Sequence, residues 1–414
     1  MSKTLATSHF MSKSTDVAVA RKELYQQGIK TSYNEEVMIF SRMRSAKNSL
    51  NNEFIQECNG LILEQGTWKP LVVPPRSLRF NINTEASNKY LHQGLYHIYK
   101  VQDGTCFNLY YYNNKWVIST TSGHTMNSVT WAQDKSYQTI VEECLAGLGL
   151  TWETFTTQLN QSHCYSFGFR HPLMHKFCEN AEAPTHKLWF IQSVCLVDSD
   201  EYLWTNDASP IAVIPTQEVE TSLINNLREL YKISSSALQD YLDYKTVCYG
   251  FILRSVNVAQ TGEHSDLYIE SSLMRTIRRI WYENNIIEQC HKNNWNKELA
   301  ITLHAYLDMP NYELFCKLFP AYAKELQIYH VYVTSIVNNM VQRTLNVNYV
   351  ATEHVDISET LLHMFNESVR LQTKGLTADN LQKLYFEYIS HPLSLTSMLN
   401  MSSTFLLAEI KKIE

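Results

Sequence analysis

Residues 96–120 read YHIYKVQDGTCFNLYYYNNKWVIST. Runs of β-branched and aromatic residues are punctuated there by Asp-Gly and Asn-Asn, the pattern of short strands joined by tight turns. The same pattern extends outward from about Gly60 to Leu267, through GLILE (60–64), WKPLVVPP (68–75), KLWFIQSVCLV (187–197) and YGFILRS (249–255). Two helices are predicted to interrupt the strands. One covers residues 136–147, and the other covers 216–231, opened by Thr216 with Glu218 and Glu220 in its first turn. The region is therefore α+β with antiparallel sheets. After Ser271 the apolar spacing turns helical, as in Ile277, Ile280 and Trp281, then Leu303, Tyr306 and Leu307, and on through 331–345 and 361–371. The predicted organisation is a polar tail over 1–15, a sheet-rich domain over 16–270 and an all-α domain over 271–414.

Composition narrows the function. Hydrophobic residues make up 44% of the 414 and aromatics 12%, which excludes disorder over most of the chain. Glycine occurs 12 times, about 3% against a usual 7% or so, so a glycine-rich phosphate loop is excluded and any phosphate must be held by side chains. The 35 Lys+Arg against 41 Asp+Glu give a net charge of −6, so a nucleic-acid site has to be a local basic patch. The 9 cysteines are odd in number, lie mostly inside apolar runs and include no CxxC pair. They read as reduced thiols of an intracellular, cytoplasmic protein. The start, MSKTLATSHFMSKSTD, has no apolar signal core. No uncharged stretch of about 18 residues is apolar enough throughout to form a spanning helix, so no membrane role is expected.

Three residue groups carry potential chemistry. Lys100 ends an apolar strand beside Asp103-Gly104; flanked by tyrosines it could serve as a nucleophile, but Asp-Gly is a common turn pair, and on residue chemistry alone a hairpin with Lys100 exposed on an edge strand is the simpler reading. His163, Cys164, His171, His175, Cys178 and His186 form a run with metal-ligand residue types. Pro172 directly after His171 argues against the helix that would bring His171 and His175 together, so core or surface histidines are expected, and no metal. Arg275, Arg278 and Arg279 stand at i, i+3 and i+4 on a predicted helix. Such a ridge holds phosphates by bidentate contacts, or is simply a solvated face.

Taken in order, seven segments resemble one family. IFSRMRSAKNSLNNEFIQECNGLILE (39–64) looks like the Glu-Cys-Arg-Gly-(aliphatic)-x-x-Glu region of the tRNA-repair RNA ligases of phage T4 and its viral relatives, members of the covalent nucleotidyltransferase superfamily. VPPRSLRFNINTE (73–85), the Asp103-Gly104-Thr105 of motif I, YSFGFRHPLMHKF (165–177), KLWFIQSV (187–194), CYGFILRS (248–255) and DLYIESS (266–272) are similar to the segments that follow it in that family. The resemblance covers about residues 39–272. It implies a nucleotidyltransferase, ATP-grasp-like ligase domain, followed by the helical C-terminal domain.

The family's chemistry, as the resemblance implies it, needs a motif I lysine that takes AMP from ATP, glutamates that hold Mg²⁺ or orient the adenylate, and motif V lysines that neutralise the triphosphate. A phosphoryl centre crowded with negative oxygens requires that combination of cations and an in-line nucleophile. Aligned on Asp103-Gly104, the nucleophile position is Val101, and Lys100 comes one residue too early. Strand side chains alternate faces, so only a β-bulge would re-aim Lys100. The motif III glutamate falls on Gly168, that of motif IV on Tyr249, and the motif V lysines on Tyr268 and Glu270; Asn59 replaces an arginine and Leu78 a lysine.

The resemblance therefore leaves three readings. The first is an RNA-ligase-like protein that has lost adenylylation and binds RNA ends, tRNA-like RNA or a protein partner. The second is an active ATP-dependent RNA ligase that seals 5′-phosphate and 3′-hydroxyl ends, with Lys100 and Asp103 catalytic, Gly104, Arg170, Lys187 and Arg254 binding nucleotide, and His171 among the groups that replace lost ones. Only this reading requires ATP and Mg²⁺. The third is a virion-associated structural protein that reuses the fold. In each RNA-binding case Arg275, Arg278 and Arg279 are the expected phosphate contacts.

Overall fold

The Asn113-Asn114 pair makes the predicted turn. Both residues sit at positive φ, 48° and 59°, and join β8 (Thr105–Tyr112) to β9 (Lys115–Ser119) as an antiparallel hairpin. Two positive φ values in a two-residue turn match the right-handed twist of the flanking strands, and asparagine tolerates them well. The structure is a computed structural model that describes residues 3–43, 53–79, 84–132, 135–172, 186–196, 201–206, 209–216, 226–243, 247–256, 266–281, 312–319, 323–345, 361 and 377–390.

The hairpin forms one edge of a six-stranded antiparallel sheet. Its order is β1 (Lys3–Thr4), β14 (Glu201–Asn206), β13 (Lys187–Leu196), β12 (His163–Arg170), β8 and β9. Phe107, Phe167, Phe169 and Phe190 line one face of it, fully buried against α5 (Tyr137–Ala146) and α6 (Trp152–Thr156). Helix α5 agrees closely with the predicted 136–147. Ser136 caps it by accepting the Thr139 N–H, and Gly147 follows its last residue.

A second sheet runs β6 (Leu78–Arg79), β16 (Asp266–Glu270), β15 (Gly250–Ser255), β7 (Tyr96–Lys100), parallel only between β6 and β16. Ile98, Phe251, Leu253, Leu267 and Ile269 share its apolar face with Leu227 and Leu230 of α7 (Leu227–Leu242) and Leu91 of α4 (Thr84–His92). The helix predicted over 216–231 is displaced. Thr216 forms an isolated bridge with Phe190, residues 217–225 lie outside the described set, and α7 starts only after Asn226, whose side chain accepts the Glu229 N–H.

The expected polar tail over residues 1–15 is instead folded. β1 pairs with β14, and α1 (Ala6–Lys13) brings Leu5 and Met11 into the core of a third, antiparallel sheet of β2 (Ile29–Tyr33), β3 (Val37–Arg42), β4 (Asn59–Glu64) and β5 (Pro70–Val72). Phe10 meets Phe54 edge-on, with ring centres 5.5 Å apart, and the Glu57 carboxylate accepts the backbone N–H groups of Ala6 and Thr7 at the start of α1. Those donors would otherwise be orphaned. Only a few apolar residues anchor this segment, too few to leave a periodic signal.

The chain divides into two compact units, one of residues 1–175 and 179–274, the other of 176–178 and 275–414. In the second unit the described elements beyond residue 281 are helical, over Tyr312–Leu318, Ala323–Leu345 and Ala378–Ser390. The last two pack together, with hydroxyl contact between Thr344 and Tyr385. The predicted helical stretches at 303–307 and over most of 361–371 fall outside the described residues. Among the described residues no helix is long and apolar enough to cross a membrane.

Candidate functional site

The ends of four strands converge on a cavity of about 720 Å³, a size suited to a nucleotide-scale ligand. Lys100 and Asp103 reach it from the end of β7, Arg170 from the end of β12, His186, Lys187 and Trp189 from the start of β13, and Tyr249 and Phe251 from the start of β15. Strand termini can aim backbone and side chains at a ligand without breaking the ladder behind them, which is why a site collects there.

Among the described lining residues, three basic side chains against a single carboxylate give the cavity an anion-binding character. Arg170 is 3% exposed, and its charge counters the desolvation that raises the Asp103 carboxyl above the ordinary aspartate range. Burial is the larger of the two effects. Thus four of the six residues expected to be catalytic or nucleotide-binding, Lys100, Asp103, Arg170 and Lys187, line one cavity. Gly104 packs beside it, where a Cβ would come within 2.5 Å of the Trp189 ring and 2.4 Å of the Phe169 carbonyl.

Arg254 is placed elsewhere. Its Nε donates to Asp266, 3.1 Å away and 2% exposed, and its guanidinium lies 4.9 Å over the Tyr99 ring. The side chain is engaged within the second sheet. The pairing followed from two charges at facing positions of β15 and β16, a cross-strand relation that only the strand register makes visible.

The register also settles the face on which each β7 residue stands. Lys100 is paired with Phe251 in a ladder that runs without a shift from Tyr96–Ser255. Directly opposed residues share a face, so Lys100 stands at the end of the Ile98, Phe251 and Leu253 side, with no bulge to re-aim it. Val101, which follows β7 and donates its N–H to the Gly250 carbonyl, lines the same cavity as Lys100.

The positions at which the resemblance leads one to expect glutamates are occupied by other groups. Gly168 is paired across β13 with Trp189, and a Cβ on Gly168 would lie 2.1 Å from the indole ring. No side chain fits there while Trp189 keeps its place. Tyr249 and Tyr268 are buried, and the Tyr268 hydroxyl donates to the Tyr249 carbonyl at 3.3 Å. Glu270 pairs with Gly250 on the adjacent strand. Asn59 opens β4, and Leu78 sits half-buried in β6.

The histidine run behaves differently from its sequence reading. His171 and His186 approach each other, ring centres 4.6 Å apart, and meet Glu143 of α5, which residue spacing did not indicate. Burial lowers the His171 pKa, with Glu143 partly opposing, and the Lys135 hydrogen bond lowers that of Glu143. His163 and Cys164 are apart from this group on β12, and His175 and Cys178 lie outside the described residues. On the helix Ser272–Trp281, Leu273 and Ile277 are buried, Arg275 and Arg279 exposed and Arg278 half-buried. The predicted ridge therefore exists on one side of that helix.

No protein-family model matches the chain. Among curated proteins it is similar to two African swine fever virus proteins, each named "Putative RNA-ligase". The one from a Kenyan isolate is 26% identical over 68% of this chain and 66% of its own length. The one from a Malawian isolate is 24% identical over 81% of this chain and 78% of its own. The chain thus spans 66% of the length of the first of these relatives. Among solved structures, two forms of an archaeal ATP-dependent RNA ligase align at TM-scores of 0.43 and 0.37, each 11% identical, over 93% and 79% of this chain and 98% and 74% of theirs.

Proposed function

We propose that this chain is an RNA-ligase-like protein of nucleotidyltransferase fold that binds the phosphorylated ends of RNA in its basic cavity and no longer forms a lysyl-AMP. The similarity to viral proteins named as RNA ligases supports the substrate class. One observation carries the loss of chemistry: the space that a motif III carboxylate requires, beside Gly168, is filled by the Trp189 indole. A missing carboxylate removes a group that orients the adenylate or its metal, and motif spacing gives the nucleophile position to Val101. What persists is phosphate binding by Lys100, Arg170 and Lys187, which needs charge and position but no nucleophile.

The test has two arms. Incubation with ATP and Mg²⁺ followed by intact mass is expected to give no AMP adduct. A 5′-phosphorylated RNA oligonucleotide is expected to bind with salt-dependent affinity, weakened in Lys187→Ala, a substitution at an exposed residue. Equal binding by Lys187→Ala at low and high salt removes RNA-end binding in this cavity. Lys100 and Asp103 line the same cavity, which favours the active-ligase reading as the second; an adduct lost in Lys100→Ala would establish it.

A further inference from the structure

We propose that Glu143, His171 and His186 form a binding site for a divalent transition metal, with zinc the ion they suit best. The inference stands apart from the function proposed above, because it rests on these residues alone and is read without nucleotide or RNA.

His171 Nε2 lies 2.7 Å from Glu143 Oε2 and 3.2 Å from His186 Nε2, and the three ligand atoms fall within 4.8 Å of one another. A ring nitrogen carries either a proton or a lone pair, so His171 Nε2 cannot donate to the carboxylate and also accept from the second ring. At best one proton is shared between two acceptors. A dication among the three atoms gives every lone pair a partner.

The separations are close to those such an ion needs, with no pair of ligand atoms more than 4.8 Å apart. With bonds of about 2.0–2.1 Å, neighbouring ligands of a tetrahedral zinc stand ~3.3 Å apart. The two imidazole nitrogens already have that separation, and the carboxylate oxygen needs to withdraw by about 0.6 Å. Two imidazoles and a carboxylate are the donor set of a borderline metal, softer than Mg²⁺ or Ca²⁺ prefer.

The surroundings orient the ligands. Lys135 Nζ holds the other carboxylate oxygen, Oε1, at 2.6 Å and leaves Oε2 directed at His171, the kind of outer contact that fixes a metal-binding carboxylate. The three ligands come from α5, the residue after β12 and the residue before β13, so the supporting elements are regular. Three protein ligands leave a fourth position for water or a ligand oxygen, as in zinc sites that act on substrates. His186 and its neighbour Lys187 also line the cavity, so that fourth position is within reach of an anion held there.

The experiment uses the full chain stripped of metal with a chelator, then titrated with Co²⁺ and Zn²⁺. The expected result is one equivalent bound, with the visible bands of four-coordinate cobalt displaced by zinc. His186→Ala changes an exposed residue and is expected to weaken binding by at least about tenfold while keeping the wild-type circular dichroism; Glu143→Gln is expected to act likewise. His171 is 2% exposed, so its substitution risks the fold and is not needed. Absence of bound Co²⁺ and Zn²⁺ at micromolar concentration overturns the proposal, and so does unchanged affinity in His186→Ala.

Discussion

The two faces of β12 were built to different rules. On one, Phe167 and Phe169 interlock with Phe107 and Phe190 and are fully buried. On the other, Gly168 lies under Trp189, and Arg170 reaches the cavity. The apolar face does what any sheet face does against a helix, and the type and size of its residues suffice. The second face depends on which atom stands at which position, and there the Trp189 indole fills the space that a side chain at position 168 would need. A fold can outlast its chemistry, because packing tolerates many sequences and in-line phosphoryl transfer very few.

Substitutions on the two faces separate these roles. Phe167→Ala should cost the most, about 3–5 kcal/mol, measured by denaturant unfolding, because a fully buried ring leaves a cavity between the sheet and α6. A loss below 1 kcal/mol or so would mean that the phenylalanine face is not the organising core. Gly168→Ala should cost about 1–3 kcal/mol by overpacking against the indole. In a Trp189→Ala background the same change should cost about 0.5–3 kcal/mol less. Additive effects would show that Trp189 does not occupy that space.

Asp103 gives the smallest effect and the one that depends on pH. Burial raises its carboxyl above the ordinary value, with Arg170 opposing. A raised acid favours the folded state below its unfolded pKa, about 3.9, and that advantage is lost as pH rises through the folded value. Asp103→Asn, which mimics the protonated form, should therefore raise Tm at neutral pH, and the gain should vanish as pH falls below the ordinary aspartate range. A gain that persists in acid would assign it to packing instead.

Much of the fold could be read from residue patterns. The Asn113-Asn114 hairpin, helix α5 with its Ser136 cap, and strands β4, β13 and β15 all follow from local signals. The N-terminal segment was not legible, because α1 is secured by the Glu57 carboxylate and by Phe54, both about fifty positions away. Lys100, Asp103, Arg170 and Lys187, which motif order singles out, line one cavity. Arg254 is not among the residues lining that cavity and pairs instead with Asp266 of a facing strand, a relation motif order does not carry. Glu143 was missed because a carboxylate on a helix carries no metal signal until the strand ends bring His171 and His186 beside it.

The most direct measurement of whether the chain takes AMP from ATP is its intact mass after incubation with ATP and Mg²⁺. An unmodified chain that nevertheless binds phosphorylated RNA is expected; a covalent AMP that disappears in Lys100→Ala would contradict the proposed loss of lysyl-AMP formation.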